Sequence, residues 1–182
     1  MVAAVGETAV SGVALVDSIS VLVIQVLSAM ATGGAVVCSQ YIGKKKPDQA
    51  CRAAGQLVLI TAALSLLIAA VAFIGNRHLL RLIFGSVETA VMDNAQTYFW
   101  FTAMSYPFLA LYNSGAALFR SMGNSKVSMK VSLAMNAINV AGNALCVFGL
   151  HMGVEGVAIP TLVSRMFAAV VMVILVRNPK NR

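Results

Sequence analysis

SISVLVIQVLSAMATGGAVVCSQYIG, Ser18 to Gly43, contains no charged side chain. The stretch after it, KKKPDQACR (44–52), is dense with charge: Lys44, Lys45, Lys46 and Arg52 against Asp48. A helix needs about 20 mostly apolar residues to cross the hydrocarbon core of a bilayer. The first segment meets that length, and the second halts it. The same contrast recurs along the chain. Ala53 to Asn76, Asn94 to Phe119, Val131 to Val154 and Gly156 to Val176 are further apolar stretches, the last interrupted only by Arg165. Open strands cannot lie in lipid with their backbone groups unpaired. A lipid-facing barrel would instead show alternating segments of about ten residues. The reading is an all-α membrane protein, a single lobe of five transmembrane helices over residues 1–182.

The composition agrees. Of 182 residues, 59% are hydrophobic and 10% charged, where a soluble domain has about 25% charged. A soluble domain of this length could not cover so much apolar surface. A cytosolic enzyme, a disordered chain and a nucleic-acid-binding domain are thereby excluded. The net charge of +7 has another origin, because the basic residues sit in the short gaps between apolar runs. The gap 44–52 is basic, and 77–93 balances Arg77 and Arg81 against Glu88 and Asp93. The gap 120–130 holds Arg120, Lys126 and Lys130 with no acid; the next holds only His151 and Glu155; the tail carries Arg177, Lys180 and Arg182. Basic and neutral gaps alternate. By the positive-inside rule the first, third and last are cytoplasmic, which puts the N-terminus outside and the C-terminus inside a cell membrane. Nothing before Ser18 has the basic start of a signal peptide. A multi-span chain that begins outside normally has an earlier helix, so the expectation is a piece of something larger. Met1 to Asp17 reads as the end of such a helix, a turn near Gly6 and Glu7, and the first turns of the next. Arg77 to Asn94 reads as a short interfacial helix on the outer side, with a turn near Ser86 to Glu88.

Chemistry inside hydrocarbon is confined to a few polar positions, since each is costly there. Cys38, Cys51 and Cys146 have neither metal-ligand spacing nor an even count, and read as free structural thiols. There is no phosphate-binding GxxxxGK[ST], no HExxH, and no paired carboxylate or nucleophile–base set within the spans. The protein therefore reads as a non-enzyme without a cofactor. The fourth span carries Asn136, Asn139 and Asn143, whose spacing of three and four puts them on one helix face. A stripe of amides either lines a cavity, offering carbonyl oxygens to a cation and N–H donors to a ligand, or acts as glue between helices. The fifth span carries Pro160, Thr161, Ser164 and Arg165. Pro160 removes a backbone donor, which favours a kink. Thr161 either serves a site or bonds back to its own helix. Arg165 calls for an interior partner, a watery cleft or a lipid phosphate. In the third span, Tyr106 and Pro107 can face a cavity, whereas Tyr98 and Trp100 fit an aromatic belt at the outer interface. Asp17 sits at the outer edge of the first span, where water reaches it, and Gly33-Gly34 suggests close helix contact.

At these residues the chain resembles a known family. SQYIGKKKPDQACRAAGQ (39–56) is similar to the close of the second helix in MATE multidrug exporters. FRSMGNSKVSMKVSLAMNAINVAGNALCVFGLHMGVEGVAIPTLVSR (119–165) is similar to the same family's stretch from fourth to sixth helix. There a small basic loop leads to an Asn-rich helix, a glycine-rich turn and a Thr-bearing helix. The resemblance implies a lobe whose first helix is mostly missing, paired with a second lobe of the same full-length protein. It implies cation-coupled export of small cationic amphipathic compounds in exchange for sodium or protons, by alternating access. Some members bind the cation or proton between an aspartate on the first helix and polar residues on the fifth and sixth. Asn139, Asn143 and Thr161 match the latter positions, while the aspartate would precede Met1. Some members have a carboxylate where Asn143 stands, and an amide cannot relay a proton. Asn136, Tyr106 and Arg165 are the substrate-cavity candidates. Two other readings remain: a non-transport membrane module with the Asn stripe as its packing seam, and a lipid-linked oligosaccharide flippase of the same superfamily, which would want more cavity cations than Arg165.

Overall fold

The computed structural model describes residues 2–178, and among these every regular element is helical. A single turn at Val2–Ala4 leads through Gly6, at φ 133°, into α1 (Glu7–Gly43). Helices α2 (Pro47–Phe84), α3 (Thr89–Ser121), α4 (Ser125–Ala144) and α5 (Glu155–Arg177) follow. A wider turn at Leu145–Gly149 extends α4. The fourth apolar stretch is thus helical as far as Gly149, and the connection to α5 passes through His151 at positive φ. Lys180 and Arg182 of the basic tail lie outside the described residues.

Short connections set the helices up and down. Lys44 to Lys46 separate α1 from α2, and Met122 to Asn124 separate α3 from α4. Both turns close in the same way. The amide of Lys46 donates to the Tyr41 carbonyl at 3.0 Å and that of Asn124 to Phe119 at 2.9 Å, which satisfies carbonyls left open at the helix ends. Gly123 supplies the left-handed residue in the second turn, and Lys45, at φ 54°, supplies it in the first. Helices α1, α3 and α5 consequently run in one direction. The segment Arg77 to Phe84 differs from the sequence expectation. It is no separate interfacial helix but the last turns of α2, which ends only at Gly85. At about 1.5 Å per residue, the 37 residues of α1 and 38 of α2 exceed a hydrocarbon core of roughly 30 Å. Their ends are therefore long enough to carry charged residues such as Arg77 and Arg81 beyond it.

Burial is inverted relative to a soluble bundle. On α2 the outward residues are Leu59, Leu67 and Ile74, the last 88% exposed, whereas Thr61 and Ser65 are fully buried. The two hydroxyls bond back to the carbonyls of Leu57 and Ala62, so they need no partner from a neighbouring helix. Four helices, α1, α2, α4 with its extension, and α5, are long and apolar enough to cross a membrane. Helix α3 is enclosed by the other four. Its Ala103, Tyr106, Ala110 and Phe119 are all 0% exposed, and this enclosure lets it carry hydroxyls and amides that a lipid-facing helix could not. Small residues allow the close approaches. A Cβ on Gly34 would collide with the Leu57 side chain, and one on Gly142 would meet Pro160 at 2.7 Å. The second contact seats α4 on α5 beside the polar residues described next.

Candidate ion and substrate site

Two polar groups meet on α5. The first lies between α4 and α5. The Asn139 Nδ2 donates to Thr161 Oγ1 at 3.0 Å and to Ser164 Oγ at 3.4 Å. The Asn143 Nδ2 donates to Asn139 Oδ1 at 3.0 Å. Thr161 and Ser164 pass their own protons to the carbonyls of Val157 and Thr161. Thr161 bonds back to its own helix, and the same hydroxyl accepts from Asn139. The chain of donors ends at Asn143, whose Oδ1 is buried without a partner. A buried carbonyl oxygen without a donor is an uncommon and costly feature, and its lone pairs are available to a cation. Asn136, one turn earlier, is exposed and takes no part in this network. The helix spacing puts it on the same face, yet its side chain stays exposed although α5 continues beside α4 to Val131 and Val127.

The second group spans α1, α3 and α5. The Tyr106 hydroxyl pairs with Ser20 Oγ at 3.1 Å, both side chains being buried. The Arg165 guanidinium donates to Ser105 Oγ, and Ser105 donates to the Thr102 carbonyl. Tyr98 is buried and donates its hydroxyl to Asp17 Oδ1 at 3.3 Å. Tyr98 thus departs from the aromatic-belt expectation. It faces the helix bundle, while its neighbour Trp100 is exposed and packs against Phe73 in a tilted pair, 5.0 Å between ring centres and 46° between planes. Asp17 is exposed, in keeping with a wet position. Sequence reading missed its link to Tyr98, and missed Ser20 and Ser105. The available signal was the spacing of Tyr98, Thr102 and Ser105, which repeats at four and three along one face of α3. The partners on α1 lie about 80 residues away and left no local trace. Asn113, further along α3, also has a buried Nδ2 without a partner. Among the described residues, no group of His, Cys, Asp and Glu could hold a metal ion.

This bundle, with polar residues gathered on its inner faces, has close counterparts among known proteins. The profile of the MatE family matches residues 1–145. The chain belongs to the MatE family. It is 29% identical over 182 residues to a protein of Bacillus subtilis (strain 168) described as the uncharacterized transporter YisQ, with 98% of the chain and 40% of that protein aligned. The crystal structure of a MATE protein in the bent conformation superposes with a TM-score of 0.92 at 18% identity, over 100% of this chain and 40% of that one. The inward-facing form of a multidrug resistance MATE family transporter of the MOP superfamily gives 0.90 at 19% identity, over 98% and 40%. A MOP superfamily transporter from Pyrococcus furiosus, described as having a binding pocket of reverse polarity, gives 0.91 at 17% identity, over 99% and 39%. The chain spans about 40% of the length of the curated relative and of these structures. It is a multi-pass membrane protein of a transporter family, and its members are transporters rather than enzymes.

Proposed function

We propose that the chain works as one lobe of a cation-coupled antiporter. The lobe is completed by a second, similar lobe and exports small cationic amphipathic compounds by alternating access across the plasma membrane. Its N-terminus lies outside and its C-terminus in the cytoplasm. The observation that carries this reading is the network ending at Asn143 Oδ1. Asn139, Asn143 and Thr161 offer neutral oxygens, and none of the three side chains titrates near neutral pH. Such a set suits a sodium ion better than a proton. Tyr106 and Arg165, with the exposed Asn136, form the substrate side.

The test is ethidium efflux from proteoliposomes holding the full-length protein, with sodium and proton gradients imposed separately. The reading predicts efflux driven by inward sodium that Asn143→Ala slows strongly. Efflux driven only by a proton gradient, unaffected by Asn143→Ala, would remove the coupling role from this network. The closed hydrogen bonding of Asn139 also favours a second reading, in which the network is a packing seam of a non-transport module. Asn139→Leu and Asn143→Leu discriminate: intact folding with unchanged efflux supports the seam.

A further inference from the structure

Helices α2 and α5 both pack against α3 and leave a groove between them at the end of the bundle where α1 turns into α2. Its volume is about 820 Å³, within the range of about 300–1,000 Å³ usual for small-molecule sites. Ala54 and Val58 of α2, Leu111 and Leu118 of α3, and Val173 and Val176 of α5 line it. Its mouth carries Asn124 and Arg177, both exposed. From Pro47 to Val58 the lining on α2 runs about 16 Å at 1.5 Å per residue. That matches one leaflet, half of a hydrocarbon core of roughly 30 Å. The mouth opens at the basic end of the bundle. Lys44, Lys45, Lys46, Arg52, Arg120 and Arg177 lie there with the start of α4, and among the described residues Asp48 is the one acid. The N-termini of α2 and α4 open at the same mouth, at Pro47 and Asn124, and their positive dipole ends favour an anion. The C-termini of α3 and α5 act the other way, but each carries an arginine, Arg120 and Arg177, in its last turn.

We propose that this groove is a binding site for an anionic phospholipid of the leaflet at the basic end. One acyl chain lies along α3 between α2 and α5, and the phosphate sits at Arg177 and Asn124. Three observations select this occupant. The groove is as deep as a leaflet, its walls are apolar, and its polar and basic groups are confined to the mouth. Basic pockets between transmembrane helices are recurrent sites for anionic headgroups. A lipid without net charge fits the walls but gains less at the mouth, and a cationic amphiphile is repelled there. Gly55, which lines the groove, supports the presence of room for a chain: a Cβ built on it meets nothing within 4 Å. A lipid seated here bridges α2 and α5, which meet each other only through α3. The proposal rests on the membrane placement of the bundle and is independent of the antiport reading.

The experiment titrates phosphatidylglycerol and phosphatidylcholine, each with the same pyrene-labelled chain, into the full-length protein stripped of lipid in maltoside micelles. The expected result is saturable binding, with phosphatidylglycerol roughly tenfold tighter, the scale of one charge-assisted contact. Arg177→Gln should weaken phosphatidylglycerol about fivefold, the scale of one basic residue at a membrane surface, and leave phosphatidylcholine unchanged. Gly55→Trp puts a side chain into the groove and should abolish saturable binding of both lipids. Ile74→Trp places the same bulk on a part of α2 that is 88% exposed and outside the groove, and should change neither. A second readout needs no substitution. Cys51 lines the groove and is exposed, so phosphatidylglycerol should slow its alkylation by N-ethylmaleimide, read on the Cys51 peptide by mass spectrometry, and phosphatidylcholine should slow it less. This readout decides the matter where Gly55→Trp does not fold. Equal affinity for the two lipids, or binding and Cys51 protection that survive Gly55→Trp, overturns the proposal. So does the absence of saturable binding, the outcome expected where another part of the full-length protein or a second copy covers the groove. Lipid binding by a protein that exports nothing would sink the transport reading and leave the groove's occupant standing.

Discussion

The two polar groups on α5 sit one helical turn apart and are built on opposite principles. Around Asn139 every partner is neutral, and donors and acceptors close on one another until the last oxygen, on Asn143. Around Arg165 a full charge is held by a hydroxyl that already has its own acceptor. The first arrangement binds helices together, because removing a member strands the rest. The second adds little cohesion, because its central charge is poorly compensated in a membrane segment. The contrast separates what holds α4 onto α5 from the part of α5 that the proposed transport function assigns to substrate, and stability measurements on single variants can break it.

The largest effect is expected at Asn139. Asn139→Leu removes its bonds to Thr161, Ser164 and Asn143. Two of these cross to α5, and interhelical hydrogen bonds in membranes average about 0.6 kcal/mol each; losing the third, within α4, strands the Asn143 amide at a cost of about 1 kcal/mol more, so the loss is about 2 kcal/mol, read by unfolding in mixed micelles. A neutral outcome would mean that the network does not hold the two helices. Arg165→Met should act in the opposite direction. A charged side chain mid-membrane costs on the order of 2.5–3.5 kcal/mol, and partial water access reduces that here. The variant should be more stable by about 1–2 kcal/mol while losing ligand selectivity, the usual trade at a functional site. Destabilisation instead would show that Arg165 is a structural tie. Tyr106→Phe leaves the buried Ser20 hydroxyl without its partner and should cost about 1 kcal/mol, detectable as a lowered melting temperature. Asn143→Ala is the smallest. It removes one hydrogen bond but also one unpartnered buried oxygen, for a net change of about 0.5 kcal/mol. Its effect on sodium-driven efflux should far exceed that stability change, and a comparable effect on both would return Asn143 to packing.

Much of this was legible along the chain. The uninterrupted run from Ser18 to Gly43 and the basic gap after it gave the helical hairpin without any tertiary information. The Asn139/Asn143 pair was legible because a spacing of four fixes a shared face whatever surrounds it. Asn136 shows the limit of the same rule. It shares the face, yet it is exposed, because a helical period says nothing of where the neighbouring helix lies. Arg77 to Phe84 was misjudged for a related reason. Charges at Arg77 and Arg81 marked the end of an apolar run, but a helix does not need to stop where its apolar run does.

The sequence by itself determined the membrane class, the five helices, and the neutral amides on α4, since hydropathy and helical spacing are local properties. Only the tertiary structure decided that Tyr98 faces Asp17 rather than the interface, that Ser20 partners Tyr106, and that Arg165 rests on Ser105. Those pairs join residues some 60 to 86 positions apart. Their formation depends on α3 being enclosed by the other helices, a property of the packed bundle that no window of sequence contains.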